Sequence, residues 1–189
     1  IAAINGGFFN MKEGGSVTYF ELNDQLISYT KTAKNFQTPS YFLNGAIIID
    51  KQNKIKLDSL KDDDFYIKSK DEQAVLVTGP LLLLDDKKLS LKDIPFVTNR
   101  HPRSCLCTTK TDLILVVVDG RSEEAAGMSL LEAQDFLQDL GCLSAINLDG
   151  GGSSTLWNST TGILNKPSDK NGERPVSNAF IIQEKTNQP

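Results

Sequence analysis

The stretch NLDGGGSST, residues 147–155, places a carboxylate, three glycines and three hydroxyl groups directly after an apolar run. Glycine adopts positive φ and lets a ligand approach the backbone closely, and successive N–H groups in such a turn can bind an anion. The pattern predicts a site for a phosphate or a sugar with Asp149 at its edge, and a tight structural turn between two strands is the alternative. The candidate binding residues are Asn147, Gly150, Gly151, Gly152, Ser153, Ser154 and Thr155.

A second glycine turn, Asn5-Gly6-Gly7, follows the first apolar segment of the chain. The sequence around this turn, AAINGG, shares Ala-Ile-Asn with the sequence around the later one, SAINLDGGG. We interpret the two turns as glycine-lined strand ends around one cleft, with a plain turn before two core aromatics as the alternative. The later turn is neither a Walker loop, because no Gly-Lys-Ser/Thr follows it, nor a GxGxxG motif.

The segment NRHPRS, residues 99–104, holds the one histidine of the chain between two arginines. Arg100 and Arg103 could bind a phosphate group, bidentately where the planar guanidinium fits. His101 precedes a proline, so its backbone is predicted to be extended. An exposed loop histidine is the alternative interpretation.

Three further charged residues lie at the ends of predicted secondary-structure elements. Asp119 and Arg121 follow the apolar run LILVVV, where a solvated ion pair is the alternative to a site. Glu132 stands three residues after Ser129, a spacing typical of a helix capping box. We expect segments 5–7, 100–103, 119–121 and 147–155 to meet in one pocket.

Strand patterns dominate the chain and would position these groups. Hairpins are predicted over 17–30 and 43–57 and an antiparallel pair over 104–120. Over 74–91, two apolar runs are broken at Gly79-Pro80 and followed by a turn at 85–88, and further strands are predicted at 1–4, 143–148 and 176–184. LILVVV is apolar throughout, which predicts a strand covered on both faces. One helix is predicted over 129–141, with an apolar stripe of Ala133, Phe136, Leu137 and Leu140. The fold class is therefore α+β, a single domain with a mixed, mostly antiparallel β-sheet and one main amphipathic helix (129–141).

Composition narrows the classes of function. The net charge of −4 over 189 residues argues against a nucleic-acid partner, and no apolar run reaches the length of a membrane span. The chain opens inside a strand pattern, so we expect the domain, residues 1–189, to lack its N-terminal portion. The three cysteines suggest neither a disulfide framework nor a zinc site, and Cys105 and Cys107 are predicted to be small core residues.

Several segments occur in one order: AINGGFF, GPLLLLDDKK, RHPRS, VDGRSEEAAGMSLLEA, LGCLSAINLDGGGSSTL and ERPVSNAF. Together they resemble the phosphodiester glycosidase family, from Ala3 to about Ile182. The resemblance implies a hydrolase that cleaves a sugar-1-phosphodiester at the anomeric carbon and releases the sugar and a phosphomonoester. It also implies an exported protein and a phosphosugar or glycan-phosphodiester substrate, without naming the sugar.

For that reaction, Asp149 is our first choice as base or nucleophile, with Glu132 or Asp119 as its partner. Preorganised cations and amides would neutralise the departing phosphate. The predicted substrate-binding and phosphate-binding residues outside the 147–155 stretch are Asn5, Gly6, Gly7, Arg100, His101, Arg103 and Arg121. No cofactor is required, and a divalent cation such as calcium or magnesium, shared by Asp119 and Asp149, is left open.

Two other functions remain open from the sequence. One is a module that binds phosphosugars or polysaccharides without turning them over. The other is a serine hydrolase that uses His101, an aspartate and Ser153 or Ser154, although the GxSxG elbow is missing. Release of sugar separates the first from an enzyme, and covalent labelling of serine identifies the second.

Overall fold

The computed structural model describes residues 1–30 and 42–184, in which fourteen strands form three sheets. The first strands are β1 (Ala2–Asn5), β2 (Phe20–Leu22), β3 (Gln25–Ser28), β4 (Gly45–Asp50), β5 (Ile55–Ser59), β6 (Glu72–Thr78) and β7 (Leu81–Leu84). The others are β8 (Lys87–Lys88), β9 (Arg103–Thr108), β10 (Leu113–Val118), β11 (Ser144–Asn147), β12 (Leu156–Asn158), β13 (Gly162–Ile163) and β14 (Ala179–Ile182). The helices are α1 (Asp63–Lys68), α2 (Pro95–Thr98) and α3 (Leu130–Asp139).

The three sheets have the strand orders β13-β12-β1-β14, β10-β9-β11-β7-β8 and β3-β2-β6-β4-β5. We call the second of these the central sheet. Every pairing between the described strands is antiparallel. The predicted α+β class and mostly antiparallel arrangement are therefore confirmed, while the strands form three sheets and not one mixed sheet.

Residues that tolerate a left-handed backbone close the predicted hairpins. Asn23 and Asp24 both have positive φ, 53° and 59°, and join β2 to β3 in a two-residue turn. Asp85 and Asp86 do the same between β7 and β8, with φ of 49° and 64°. Turns of this hand match the twist of antiparallel strands, so short polar residues at these positions fix the strand registers.

The central sheet separates two apolar clusters. In β9, Cys105 and Cys107 face the cluster that contains α3, whereas Leu106 faces a cluster shared by all three sheets. This alternation follows from the two-residue period of a strand. LILVVV forms β10, whose side chains pack against both clusters but are half-buried, because β10 is the edge strand of its sheet.

Helix α3 begins where the sequence predicts, but the residues that it buries against the core differ from the predicted stripe. Ser129 and Glu132 form the reciprocal capping box. The predicted stripe is wrong at Phe136, which is exposed like Leu140. The buried positions include Gln134, whose amide donates to the carbonyls of Leu82 and Leu89 at 2.7 and 2.9 Å. The hydrogen bonds of a polar residue are thus satisfied at a core position, which an argument from apolar periodicity cannot detect.

Among the described residues, no helix has the length and apolarity needed to cross a bilayer.

A disulfide joins Cys107 at the end of β9 to Cys142 after α3, with the Cα atoms 5.7 Å apart. The prediction that the cysteines form no disulfide was wrong, because an odd count gives no pairing pattern and the partners lie 35 residues apart. Cys105 is a free, buried core residue, as predicted, and burial raises the pKa of its thiol to about 12.

Replacing both bonded cysteines, Cys107→Ala with Cys142→Ala, is expected to lower the free energy of unfolding by about 2–4 kcal/mol, because the unfolded chain gains freedom. Urea unfolding with and without a thiol reductant measures the effect. Reductant should destabilise the parent protein and leave the double variant unchanged. Equal sensitivity of the two proteins to reductant would contradict the assignment.

Candidate active site

The turn of residues 147–155 leaves the central sheet where β11 ends. Gly151 has φ +63°, and residues Gly151–Ser153 form one turn of 3₁₀ helix. The backbone of this turn is tied to two neighbouring segments. The N–H of Asp149 donates to the carbonyl of Gly6 at 3.0 Å, and the N–H of Gly151 donates to the carbonyl of Pro102 at 2.9 Å. The two glycine turns are therefore adjacent, as the sequence predicted.

The side chain of Asn5 joins the two turns and β9. Its amide nitrogen donates to the carbonyl of Asp149 at 2.5 Å, and its oxygen accepts from the Ser104 hydroxyl at 2.7 Å and the Thr155 N–H at 3.1 Å. Asn5 is buried. Its polar atoms are therefore engaged by the protein, which makes it a brace for the site in this geometry.

Asp149 is the half-buried carboxylate of the site. The Ser153 hydroxyl donates to its Oδ2 at 2.7 Å. Burial raises the pKa of Asp149 above its ordinary value, and the hydrogen bond from Ser153, the charge of Arg174 and the N–H of Gly150 oppose this rise. A carboxylate in such surroundings is a stronger base than an exposed one.

Two guanidinium groups lie against the glycine turn. A Cβ added to Gly151 would stand 3.0–3.2 Å from atoms of the Arg121 guanidinium. A Cβ on Gly152 would collide with Arg174 at 2.1 Å and with Asp169 at 2.2 Å. A side chain at Gly151 would press against Arg121, and one at Gly152 would displace Arg174 and its partner Asp169.

The two arginines differ in how they are held. The carboxylate of Asp169 accepts from Nε and Nη2 of Arg174 at 2.8 and 3.0 Å, and Nη1 of Arg174 lies 3.4 Å from the Ser153 hydroxyl. Arg121 is exposed, and its guanidinium has no hydrogen bond or ion pair with any residue in 1–30 or 42–184. Arg121 is therefore the cation with free capacity for an anionic ligand.

Glycines also make room for the His101-Pro102 backbone. A Cβ on Gly127 would be 2.5 Å from the carbonyl group of His101, and one on Gly120 would be 2.8 Å from the Pro102 nitrogen. The carbonyl of Pro102 would be 2.9 Å from a Cβ on Gly150. His101 is half-buried, and burial together with the nearby Arg103 and Arg121 lowers the pKa of its imidazole. It is therefore neutral at pH 7.

Arg103 braces the loop from within. Its guanidinium donates to the carbonyls of Met128, Phe96 and Asn99 at 2.8, 2.8 and 2.9 Å and lies 5.3 Å from the Phe96 ring centroid. Arg103 is 2% exposed, and burial lowers its pKa to about 10, which leaves it charged at pH 7. A phosphate could not reach these bonded atoms without displacing the carbonyls, so this geometry does not place Arg103 as a phosphate ligand.

Arg100 and Glu132 pair with each other at the surface. Nε of Arg100 donates to both oxygens of Glu132 at 3.0 Å, and the terminal nitrogen Nη2 also bonds Oε1. The bond from Arg100 and that from the Ser129 N–H lower the pKa of Glu132 to about 2. Glu132 is thus ionised and committed to the helix cap, and within the described ranges the pair makes no hydrogen bond to the glycine turn.

The remaining predicted residues are also placed. Asp119 accepts from the N–H of Lys166 at 3.0 Å and from the Asn165 amide at 3.3 Å, and it lies beside Arg121. Asn147 is buried, and its amide donates to the carbonyls of Gly79 and Leu148 at 2.9 and 2.7 Å. The side-chain oxygens of Ser154 and Thr155 are buried without partners among the described residues.

Sequence reasoning missed Arg174, Asp169 and Asn178. Asn178 accepts from the N–H of Gly7 through its side chain at 2.7 Å and from that of Gly6 through its carbonyl at 3.0 Å. All three lie in or after a loop-rich stretch without periodicity. The signal that could have found them was the segment ERPVSNAF, which the resemblance already included.

The arrangement combines a basic carboxylate, a supporting hydroxyl and two guanidinium groups around a buried glycine turn. It suits reactions in which negative charge develops on a departing anion while a carboxylate acts at the adjacent carbon. Within the described ranges, no three His, Cys, Asp or Glu side chains cluster as metal ligands would. Participation of a cation stays an open prediction.

Comparison with known proteins matches the chain to one family. A family model described as phosphodiester glycosidase matches residues 1–183. Among solved structures, the zebrafish N-acetylglucosamine-1-phosphodiester alpha-N-acetylglucosaminidase catalytic domain, auto-inhibited by its pro-peptide, superposes with a TM-score of 0.77 at 24% identity. The match covers 97% of this chain and 63% of that one. A hypothetical protein from Synechocystis matches with a TM-score of 0.54 at 17% identity, over 94% of this chain and 50% of that one. No curated protein sequence matches the chain.

Asp149→Asn is expected to become progressively more stable than the parent protein as pH rises from about 3 to 7. The raised pKa means that native Asp149 holds its proton to higher pH than the unfolded chain does. Ionisation above an ordinary aspartate pKa of about 3.9 therefore destabilises the parent and not the variant. Urea unfolding across this pH range measures the difference.

Asp135→Asn, which removes an exposed carboxylate from α3, controls for the loss of one surface charge. A stability difference between Asp149→Asn and the parent that moves in the opposite direction with pH would show that the site favours the ionised form.

Proposed function

The chain belongs to the phosphodiester glycosidase family, and we propose that it hydrolyses a sugar-1-phosphodiester at the anomeric carbon. The products are the free sugar and a phosphomonoester. The observation that carries this proposal is the position of Asp149 beside a glycine turn whose residues Gly151 and Gly152 lie against Arg121 and Arg174.

The departing group gives the two guanidinium groups a role. As the bond from the anomeric carbon to the phosphate oxygen breaks, its electrons pass to the phosphate. Arg121 has free guanidinium capacity, and Arg174, which is paired with Asp169, lies against Gly152. Because the phosphomonoester anion is a good leaving group, these cations replace the strong general acid that an ordinary glycoside requires. Glu132 is ionised and bound in the helix cap, which is consistent with a site that needs no strong general acid.

Asp149 acts at the carbon that loses the phosphate. It either removes a proton from the attacking water or attacks the carbon itself and is later released by water. In both routes the oxygen of water ends on the sugar, and one proton of that water is taken up by a carboxylate or the medium. The Ser153 hydroxyl holds the side chain of Asp149 in place, and the charge of Arg174 opposes the rise that burial causes in its pKa.

The alternative functions are less well supported. A serine hydrolase needs a histidine in contact with its serine, but the Ser153 hydroxyl bonds Asp149 and no hydrogen bond joins it to His101 within the described residues. A non-catalytic phosphosugar module would use the same arginines without needing a carboxylate of raised pKa.

We also propose that the protein is exported, since a buried disulfide is typical of proteins that fold in oxidising compartments.

The test is a screen of sugar-1-phosphodiesters in ¹⁸O-labelled water, with free sugar and phosphomonoester measured separately. Label in the sugar identifies cleavage at carbon, and label in the phosphate identifies cleavage at phosphorus. Label in the sugar is expected. Saturable binding without products would favour the binding module, and label in the phosphate would exclude a glycosidase.

On a substrate found by the screen, Asp149→Asn should lower kcat by about 10²–10⁴-fold, because the base or nucleophile is lost. Asp135→Asn, an exposed position on α3, should retain parent activity. The parent rate should rise with pH through a pKa above the ordinary aspartate value. Near-parent turnover by Asp149→Asn would remove the assignment.

A further inference from the structure

The strand β14 lies at the edge of its sheet, with one side unpaired. Within the described ranges it pairs with β1 alone. Backbone groups of an antiparallel strand point alternately to its two sides. The N–H of Gly6 donates to the carbonyl of Asn178, so Asn178 and every second residue after it face β1. The N–H groups of Ala179, Ile181 and Gln183 therefore point away from the sheet, and they donate to no residue in 1–30 or 42–184.

This edge lacks the protection that other edge strands of the molecule have. Proteins commonly protect such edges with charged residues, by keeping the strand short or by covering it. β8 consists of two lysines, β5 carries the ion pair of Lys56 and Asp58, and β13 has only two residues. β10 is apolar, but its side chains are half-buried and it contacts β12. β14 has the sequence AFII, and its Ile181 is 55% exposed.

An uncharged groove runs along the inner side of the edge. Two adjoining cavities of about 230 and 750 Å³ share Leu22, Ile49, Ala74 and Phe180 as lining residues. Neither cavity has a charged side chain in its wall, although 23% of the residues in the chain are charged. Removal of such apolar surface from water is favourable. A suitable occupant is therefore uncharged and places apolar side chains beside Phe180.

The outer face of the same sheet is apolar as well. Ile163, Trp157, Ala3 and Ile181 form one row of directly paired residues across the four strands. Trp157 and Ile163 are both partly exposed. The row ends at Ile181 on the free edge. A further strand beside β14 would thus meet apolar side chains on both of its faces.

The backbone of a second β14 matches the free edge. A two-fold axis at Ile181 brings two β14 strands together antiparallel, with Ile181 opposite the partner's Ile181. Ala179 then lies opposite the partner's Gln183. These are the residues whose N–H and C=O groups point outward, so each pair exchanges two hydrogen bonds.

The side chains match in the same register. Phe180 lies opposite the partner's Ile182 on the groove side, which supplies the apolar groups that the groove requires. Glu184 is the nearest charged residue of this segment, and it lies opposite the partner's Asn178. No two like charges are opposed, and like charges directly across a strand pair would be destabilising.

We propose that β14 is a dimer interface, at which two copies of this chain pair along the free edge about a two-fold axis. The two four-stranded sheets then form one continuous sheet. A contact along one short strand is smaller than the standard interface of about 800 Å² per partner, so the dimer is expected to be weak and concentration-dependent. The proposal is independent of the proposed function, because neither Asp149 nor the arginines of the site belong to the interface.

Sedimentation equilibrium of the full chain, from about 10 μM to about 1 mM, tests the pairing. The parent should show a monomer–dimer equilibrium. Ile181→Lys places two positive charges opposite each other across the axis and should raise the dimer dissociation constant by about tenfold or more. Ile163→Lys makes the same change on the same face, at the far edge of the sheet, and should leave the constant unchanged.

Mixing two variants identifies the residue on the axis. Ile181→Glu alone should dissociate as Ile181→Lys does. An equimolar mixture of the two should dimerise again, because opposite charges then face each other. Failure of the mixture to recover the dimer would exclude Ile181 from the axis and overturn the register.

Ile181→Pro serves if the charged variants unfold, which urea unfolding detects. It removes the outward N–H without removing a hydrogen bond to β1, and edge strands tolerate proline at such positions. It should weaken the dimer, whereas Ile181→Val should not. A parent that stays monomeric up to about 1 mM would overturn the proposal. A dimer equally strong in Ile181→Lys and Ile163→Lys would overturn it too, because the interface would then lie elsewhere.

Discussion

The site depends on one buried side chain, that of Asn5, which hydrogen-bonds two segments far from it in sequence, the start of β9 and the 147–155 turn. It fixes the carbonyl before the glycine triplet, the N–H after it and the start of β9. An asparagine is needed because its amide donates on one side and accepts on the other. If one of these bonds were lost, a buried polar group would be left unpaired at a cost of about 1–3 kcal/mol. The position of Asp149 is thus set by the protein interior and not by the loop alone.

Much of the fold could be predicted from the sequence because its signals are local. Hairpin turns were marked by Asn and Asp at left-handed positions, and the start of α3 was marked by a capping box. The division into three sheets could not be predicted, since it depends on which strands pair over long range. The disulfide was missed for the same reason, because cysteine count carries no information about distance in space.

The candidate site, like the fold, could be predicted from the sequence only in part. The segments around residues 5–7, 100–103, 119–121 and 147–155 lie close together, as hydrogen bonds and close contacts show. That they form one binding pocket stays a prediction. The partners of each charged side chain were not predictable. Arg103 and Arg121 are both arginines beside the site, yet one donates to three carbonyls inside the protein and the other has no partner among the described residues. Burial decides whether an arginine is engaged by the protein or left exposed, and neither residue type nor spacing encodes it.

The crowding of His101 and Pro102 by Gly120, Gly127 and Gly150 has a consequence for how this site could diversify. A side chain at any of these three glycines would collide with the main chain of His101 or Pro102, so substitution has little freedom in this glycine-packed floor of the site. New preferences would have to come from side chains on the more exposed rim, around 121–125 and 166–168. Libraries for altered selectivity would thus be best concentrated there, leaving the glycine-packed floor untouched.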